Sequence, residues 1–264
     1  LYNKMSTKAV YDLIQGISKG KIKLGVCELS EQGKIQGLKL IDKKSASSTE
    51  VAFGKLILGS IKKEEIEVSL KIFMDAYGVD SGSLKYEVSV YKYIVDTILS
   101  KHYSPNFIPY LGFGIPDIKD LYSKDNSESG RINILMTEKP KGKITSFYNL
   151  GKIPENEMIN VLFQIIYSLN IMSKFRLNHN DLHAGNILIS KVDEPITRLY
   201  VVGNKRFLIK TNYIPYLFDW DMSYTEPLGN NPKGKAIEYV TRVNVFKSRF
   251  DLHTLLCTSQ NNLN

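Results

Sequence analysis

The chain has 264 residues, of which 43% are hydrophobic and 23% are charged. This composition excludes disorder along the whole chain, because the apolar residues are numerous enough to bury a core. Lys and Arg number 35 against 27 Asp and Glu, so the net charge is +8. A basic balance favours polyanionic partners such as nucleic acid, nucleotide phosphates or acidic protein surfaces, although the basic residues are scattered rather than clustered.

The sequence contains no sign of a membrane span, a disulfide framework or a zinc site. No apolar stretch approaches the roughly 20 residues that a bilayer-spanning helix needs. Cys27 and Cys257 lie near opposite ends of the chain, without the close spacing of metal ligands. We therefore expect an intracellular protein, in the cytoplasm or nucleus, that does not engage a membrane.

An antiparallel hairpin is predicted in the first half of the chain. Residues 53–59 and 66–73 have a strand-like composition and flank a charged turn. Because side chains alternate along a strand, Ser69 and Lys71 are expected on one face.

A helix is predicted over residues 84–99, where apolar side chains recur at helical spacing. Glu87 lies at the edge of this apolar stripe. Residues 132–136 form a short apolar run that ends before Pro140, which predicts a buried strand followed by a connector.

A long helix is predicted from Pro154 to about Arg176. Its expected buried stripe consists of Met158, Leu162, Ile165, Ile166, Leu169 and Met172. Beyond it, Gly203 and Asn204 are predicted to form a hairpin turn. The short strands predicted around that turn are 187–189, 199–202, 207–209 and 216–218.

The loop 179–186 carries the residues that point to chemistry. It places the carboxylate of Asp181 and the amide of Asn186 five residues apart, and Asp219 follows another apolar strand 38 residues after Asp181. Phosphoryl transfer requires a carboxylate to orient the attacking hydroxyl, oxygen ligands for Mg²⁺ and a cation on the nucleotide phosphates. In this interpretation Lys71 supplies that cation.

With these residues in this order, the chain resembles the eukaryotic-like protein kinase superfamily. The hairpin-like segment 199–210, and His183 where that family has a lysine, resemble haspin-like kinases and the divergent serine/threonine kinases of large DNA viruses. The resemblance implies an α+β, bilobal protein-kinase-like fold. In it, an N-terminal extension over 1–42 precedes a small antiparallel-sheet N-lobe with one helix over 43–140. A mainly helical C-lobe, minimal or truncated, follows over 141–264.

The resemblance also implies a role for each candidate residue. Asp181 would be the catalytic carboxylate, and Asn186 and Asp219 would bind Mg²⁺. Lys71 would position the α- and β-phosphates of ATP, with Glu87 as the ion-pair partner that fixes it. The remaining ATP-binding candidates are Gly54, Ser69, Met136, Thr137, Glu138, Lys139 and His183.

Two further residues are expected to support the loop rather than to react. His179 is expected to shape it through hydrogen bonds, and Asp251 resembles the buried aspartate that braces the catalytic loop in the family. Only about 30 residues separate Asp221 from Asp251, so the resemblance implies a short activation segment. We therefore expect activity that does not require phosphorylation of that segment.

The acceptor of the phosphoryl group stays open at this point. The resemblance implies transfer to a serine or threonine of a protein substrate that is basic or associated with nucleic acid. The enzyme itself is expected to be a monomer, and its sequence has no direct nucleic-acid-binding motif. The loop 181–186 also resembles that of aminoglycoside and choline phosphotransferases, which act on small molecules. A pseudokinase scaffold is the third possibility, because Gly54 and Gly59 are the only glycines where a glycine-rich nucleotide loop is expected.

Overall fold

A computed structural model describes residues 24–29, 35–45, 50–58, 64–75, 81–116, 131–233 and 244–260. The chain divides into two compact units. Unit 1 comprises Leu1–Ser81 and Tyr110–Lys139, and unit 2 comprises Gly82–Pro109 and Pro140–Asn264. Antiparallel sheets and a few helices make the fold α+β, as predicted, and consistent with a protein-kinase-like fold.

Unit 1 contains an antiparallel sheet of six described strands. They are β1 (Leu24–Leu29), β2 (Ile35–Ser45), β3 (Glu50–Leu58), β4 (Glu64–Asp75), β5 (Tyr110–Pro116) and β6 (Arg131–Glu138). Their order is β1-β5-β6-β4-β3-β2, so β4 is an interior strand. Val68 and Leu70 alternate along β4 and are both buried, as expected for a strand with one face in a core.

The hairpin predicted at 53–59 and 66–73 is confirmed as β3 paired with β4. Strands β1 and β2 pair with β5 and β3, so the sheet includes part of the region 1–42 that was predicted as an extension. The predicted boundary after residue 42 falls within β2. Of the glycine-poor segment between β2 and β3, residues 46–49 lie outside the described residues.

The described α-helices are α1 (Ser81–Ile94), α2 (Glu155–Lys174) and α3 (Phe250–Gln260), with shorter helical turns at Val95–Leu99, Phe147–Lys152, Ala184–Asn186 and Glu226–Leu228. The helices predicted over 84–99 and from Pro154 are therefore confirmed. Helix α2 has acidic residues in its first turn and Lys174 in its last, an order that the helix dipole favours. In the part of the chain that the structure describes, no helix is long and apolar enough to cross a membrane.

Helix α1 lies in unit 2, whereas the sequence places it in the predicted N-lobe over 43–140. Its tyrosines explain this position. The hydroxyl of Tyr86 donates to the carbonyl of Gly229 (3.0 Å), and that of Tyr93 donates to the carbonyl of Phe175 (3.2 Å). A tyrosine buries its ring and needs a partner for its hydroxyl, so these bonds attach the helix to unit 2.

The described strands of unit 2 are β7 (Lys143–Ser146), β8 (Leu177–Asn178), β9 (Ile187–Val202), β10 (Lys205–Leu217) and β11 (Tyr224–Thr225). Strand β9 pairs with β10 and β7, and β8 pairs with β11. The four short strands predicted here are therefore two long ones, because the extended backbone continues through the polar residues between the predicted segments. The predicted turn at Gly203 and Asn204 is confirmed, and Gly203 has a positive φ of 58°.

An irregularity divides the β9–β10 hairpin into two halves. The halves are defined by their paired ranges, 187–191 with 213–217 for the inner hairpin and 196–202 with 205–211 for the outer hairpin. Between them, Nδ2 of Asn212 donates to the carbonyls of Val192 and Asp193, at 2.9 Å each. This side-chain amide pairs carbonyls at the point where the regular ladder is interrupted.

The buried face of α2 differs from the predicted stripe. Leu162 and Ile166 belong to that stripe, but their side chains are 39% and 53% exposed, whereas the polar Gln164 and Ser168 are buried. Nε2 of Gln164 donates to the carbonyl of Tyr213 on the inner hairpin (3.0 Å). The helix therefore turns hydrogen-bonding residues toward β10, which apolar periodicity alone cannot predict.

Candidate active site

Asp251, in the first turn of α3, anchors the loop 179–186. Its buried carboxylate accepts hydrogen bonds from the backbone N–H groups of His179 (Oδ2, 2.9 Å) and Asn180 (Oδ1, 2.8 Å). Nδ2 of Asn178 donates to the same carboxylate at 3.1 Å. Hydrogen bonds to an ionised group are roughly twice as strong as those between neutral groups. Asp251 therefore braces the loop, which is the structural role predicted for it.

His179 connects this loop to the segment that carries Asp219. Its imidazole is fully buried, and Nε2 lies 2.8 Å from the carbonyl oxygen of Phe218. Because a carbonyl can only accept, the proton of this imidazole is on Nε2. The ring also packs against Trp220, with ring centroids 4.6 Å apart. These contacts agree with the supporting role predicted for His179.

Asp219 has an unusual backbone conformation. Its φ is 69°, in the left-handed region that residues other than glycine rarely adopt. Its backbone N–H donates to the hydroxyl of Tyr91 on α1 (3.3 Å). A conformation of this kind costs about 1–3 kcal/mol and persists only where the surrounding structure imposes it, commonly at functional sites. The backbone therefore marks Asp219 as a candidate functional residue independently of its side chain.

Asn186 joins the loop to the Asp219 segment. Its Nδ2 donates to the carbonyl of Asp181 (2.9 Å) and lies 3.5 Å from Oδ2 of the same residue. Its own carbonyl accepts a hydrogen bond from the N–H of Phe218 (3.3 Å), the residue before Asp219. The structure thus brings Asp181, Asn186 and Asp219 into one neighbourhood. The amide oxygen Oδ1 is the atom of the Asn186 side chain that can bind a cation.

The surroundings of Asp181 shift its proton affinity. Burial raises the pKa of this carboxyl above its ordinary value, and the carboxylates of Asp221 and Asp219 raise it further. His183 and His179 act in the opposite direction and lower the same pKa. A bound cation would offset the effect that Asp221 and Asp219 have on Asp181.

The residues present fit a magnesium ion that is shared with a nucleotide. Within the described residues, no group of three or more His, Cys, Asp or Glu is arranged to hold a metal ion. Mg²⁺, however, is usually held by one or two carboxylates together with substrate phosphates and water. Asp219 offers one carboxylate and Asn186 an amide oxygen, whereas Asp221 is already paired with Nζ of Lys233.

Tyr148 is a residue of this site that sequence reasoning missed. Nδ1 of His183 accepts a hydrogen bond from the N–H of Gly185 (2.9 Å) and lies 3.3 Å from the hydroxyl of Tyr148, whose ring stacks on the imidazole. Because Nδ1 accepts, the neutral imidazole carries its proton on Nε2, which is 3.8 Å from Oδ2 of Asp181. A Cβ at Gly185 would lie 2.6 Å from the imidazole, so any other residue there would have to displace the ring. No sequence motif marks Tyr148.

The candidate nucleotide-binding residues of unit 1 are divided between the two faces of its sheet. Ser69 and Lys71 share one face of β4, and Thr137 of β6 shares it too, because it lies directly opposite Ser69. The candidates on the other face are Gly54, Met136 and Glu138. Lys71 is half-buried on an interior strand, which excludes its interpretation as a solvated edge-strand lysine.

Glu138 and Lys139, two of the ATP-binding candidates, differ in their backbone hydrogen bonds. The N–H of Lys139 donates to the carbonyl of Glu67 (2.8 Å), and Nζ of Lys139 pairs with the Glu67 carboxylate (2.9 Å). Successive residues of a strand direct their peptide groups to opposite sides, so those of Glu138 point away from β4. The N–H of Lys139 is therefore occupied within the sheet, whereas the peptide groups of Glu138 do not bond to β4.

Glu87 is fully buried on α1 in unit 2. Glutamate is almost never fully buried unless it is paired, so its carboxylate requires a polar partner. The role of Glu87 in fixing Lys71 stays a prediction.

The comparisons with known proteins add a partial similarity. No family model matches the chain. Over 86 residues, 31% of the chain, it is 35% identical to uncharacterized protein 179R of Invertebrate iridescent virus 6. Over 71 residues, 22% of the chain, it is 37% identical to a probable serine/threonine-protein kinase of Dictyostelium discoideum. The chain spans only 7% and 6% of the lengths of these two relatives. Part of the chain is thus similar to part of a probable kinase.

Proposed function

We propose that this protein is a serine/threonine protein kinase, which transfers the γ-phosphoryl group of ATP to a hydroxyl of a protein substrate. The observation that supports the proposal is the pair of hydrogen bonds by which Asn186 contacts Asp181 and Phe218, the residue before Asp219. Together, Asp181, Asn186 and Asp219 combine a carboxylate that can accept a proton with two oxygen ligands for a cation, which are the parts that phosphoryl transfer uses.

Asp181 is assigned the role of orienting the attacking hydroxyl and accepting its proton. The hydroxyl proton passes to the Asp181 carboxylate as the hydroxyl oxygen bonds to the γ-phosphorus, and the bond from that phosphorus to the β-phosphate oxygen breaks to release ADP. A base works best when its pKa lies near the working pH. The raised pKa of Asp181 moves this carboxyl in that direction.

Asn186 and Asp219 are assigned to Mg²⁺, and Lys71 to the α- and β-phosphates of ATP. When bound, Mg²⁺ neutralises charge on the phosphate oxygens and orients them. The backbone conformation of Asp219 and the hydrogen bond from Asn186 to Asp181 support this assignment, because both restrict these residues in the absence of ATP. Positioning of this kind is the main source of catalysis in phosphoryl transfer.

A protein acceptor is favoured by the similarity of part of the chain to a probable serine/threonine-protein kinase. The competing acceptors are small alcohols such as aminoglycosides and choline. Incubating the purified chain with radiolabelled ATP and Mg²⁺, against a panel of histones and casein and a parallel panel of those alcohols, separates the two. Labelled alcohol without labelled protein would replace the protein-kinase proposal with the small-molecule one.

The residue assignments are tested by Asp181→Asn, Asn186→Ala and Asp219→Asn. Each should lower turnover by about a hundredfold or more, because each removes a group that acts on the transition state. Asp193→Asn makes the same chemical change at an exposed position on β9 and is the matched control. Full activity of Asp181→Asn would contradict the assignment. A chain whose melting temperature does not rise with Mg-ATP would instead be a pseudokinase scaffold.

A further inference from the structure

The outer hairpin is held in place by one of its two faces. That face carries Tyr200, which is buried, and Phe207, whose ring lies 5.3 Å from the ring of Phe163 on α2. Tyr167 of α2 packs on Tyr200 with ring centroids 4.8 Å apart, and its hydroxyl donates to a carbonyl of β9. The outer hairpin is therefore a supported element that presents its other face in a defined orientation.

The opposite face of the outer hairpin is exposed, and we call it the outer face. Its six exposed side chains are Thr197, Leu199, Val201, Arg206, Leu208 and Lys210. They form three directly opposed pairs. Leu199 opposite Leu208 forms an apolar centre, Val201 with Arg206 lies on one side of it, and Thr197 with Lys210 lies on the other.

The exposure of the apolar side chains on this face is large. Leu199 is 57% exposed, Leu208 is 70% exposed and Val201 is 45% exposed. Single exposed apolar residues are ordinary, but contiguous ones rimmed by polar groups mark interaction sites. The two charged residues of the outer face are both cations, so the face is complementary to a surface that combines apolar and acidic groups.

We propose that the outer face docks a short acidic segment of a partner protein, whose apolar side chains cover Leu199 and Leu208 and whose carboxylates pair with Arg206 and Lys210. Its size supports a short segment: three positions along each of two strands span only about 13 Å by 10 Å. A stable interface between folded proteins needs about 800 Å² on each side, so this face alone is too small for a second copy of the chain.

The same residues disfavour two other polyanions. Two cations alone bind a membrane only weakly, and the six residues include none of the aromatic side chains that anchor proteins at a bilayer surface. Single-stranded nucleic acid is bound largely by stacking its bases on aromatic rings, which this face also lacks. A protein segment is therefore the occupant that both the apolar centre and its flanking cations fit.

The position of the outer hairpin gives this docking a consequence. Strand β9 begins immediately after Asn186, and β10 ends two residues before Asp219. A docked protein would thus be tethered within at most about 40 Å of the candidate active site along one hairpin. Tethering raises the effective concentration of an attached substrate. This consequence rests on the proposed function, but the docking itself does not.

The docking is tested by fluorescence anisotropy without ATP, so its result does not depend on kinase activity. The probe is a short labelled peptide in which Glu and Leu alternate, compared with a Glu–Ser peptide and a Lys–Leu peptide. The wild-type chain should bind the Glu–Leu peptide most tightly. Leu199→Ser with Leu208→Ser, and Arg206→Glu with Lys210→Glu, should each weaken that binding roughly tenfold.

Two controls keep the test decisive. Ile159→Ser with Leu162→Ser removes exposed apolar side chains from α2 instead and should leave binding unchanged. The charge-reversed variant should gain affinity for the Lys–Leu peptide, a result that an unfolded chain could not give. The proposal is overturned if the wild type prefers neither apolar nor acidic character in the peptide. It is also overturned if the α2 variant loses as much affinity, or if phosphatidylserine vesicles or single-stranded DNA bind this face in preference to the Glu–Leu peptide.

Discussion

The inner and outer halves of the β9–β10 hairpin are both rich in apolar residues but have opposite surroundings. In the inner hairpin, Ile189 and Ile214 are buried, whereas Leu199 and Leu208 of the outer hairpin are among the most exposed apolar residues described. The inner hairpin has β7 along one edge and Asn106 against the other. The outer hairpin is covered on one face only. Alternation therefore determines which residues share a face, but neighbouring elements determine whether that face is buried.

The sharpest test of this comparison is an apolar truncation in each half. Ile214→Ala should lower the free energy of unfolding by about 2–5 kcal/mol, because it creates a cavity in a packed region. Leu208→Ala should change it by no more than about 0.5 kcal/mol, because the side chain is in solvent. Urea unfolding of both variants measures the difference. Equal losses would mean that the outer face is buried in solution.

A buried amide supports the edge of the inner hairpin. Nδ2 of Asn106 donates to the carbonyl of Pro215 (2.9 Å) and to Oε1 of Gln164 (3.1 Å). Asn106→Ala should lower the free energy of unfolding by about 1–3 kcal/mol, since it leaves buried acceptors without a donor. Asn170→Ala, at an exposed position of α2, is the matched control for the same urea experiment. An unchanged unfolding midpoint in Asn106→Ala would contradict the stabilising role of this amide.

The supported face of the outer hairpin should show an intermediate effect. Phe207 is only partly exposed and packs on Phe163 of α2. Phe207→Ala should cost about 0.5–1.5 kcal/mol for the aromatic pair, in addition to a smaller loss of apolar burial. Thermal unfolding followed by circular dichroism measures it. A loss as large as that of Ile214→Ala would show that the two halves are packed equally well.

The smallest expected effect is a gain in stability from a substitution at Asp181, which precedes the inner hairpin in the chain. The pKa of Asp181 is raised in the folded chain, chiefly by burial, so the folded state holds this proton more tightly than the unfolded state. Protonation therefore favours folding at low pH, and this contribution is lost as the pH rises through the folded pKa. Asp181→Asn should raise the melting temperature at neutral pH, and the gain should shrink at acidic pH.

The control for that measurement is Asp193→Asn on β9. A gain for Asp181→Asn that is independent of pH, or a loss at neutral pH, would contradict the sign of the pKa shift. A substitution that raises stability but lowers activity is typical of a position where the native residue serves function.

Much of the fold and part of the site could be predicted from the sequence. The hairpin of β3 and β4 and the helices α1 and α2 follow from local periodicity and turn residues. The loop with Asp181 and Asn186 was identified because its residue types suit phosphoryl transfer. Tyr148 could not be found in this way, because its contact with His183 joins residues 35 positions apart. The buried face of α2 was predicted only in part: Ile165 and Met172 are buried, but Gln164 is buried too, because it is held by a partner on another element.

By itself, the sequence determined the hairpin of β3 and β4, the helices α1 and α2, the turn at Gly203 and Asn204, and the chemical groups of the segments before β9 and after β10. Only the tertiary structure decided which faces are covered, since burial depends on elements that are distant along the chain. Helical and strand periodicity are set by backbone geometry over a few residues, so they can be read locally. Whether Leu199 is exposed to water, and whether Gln164 donates to a carbonyl, depends on the packing of several segments. No local pattern contains that information.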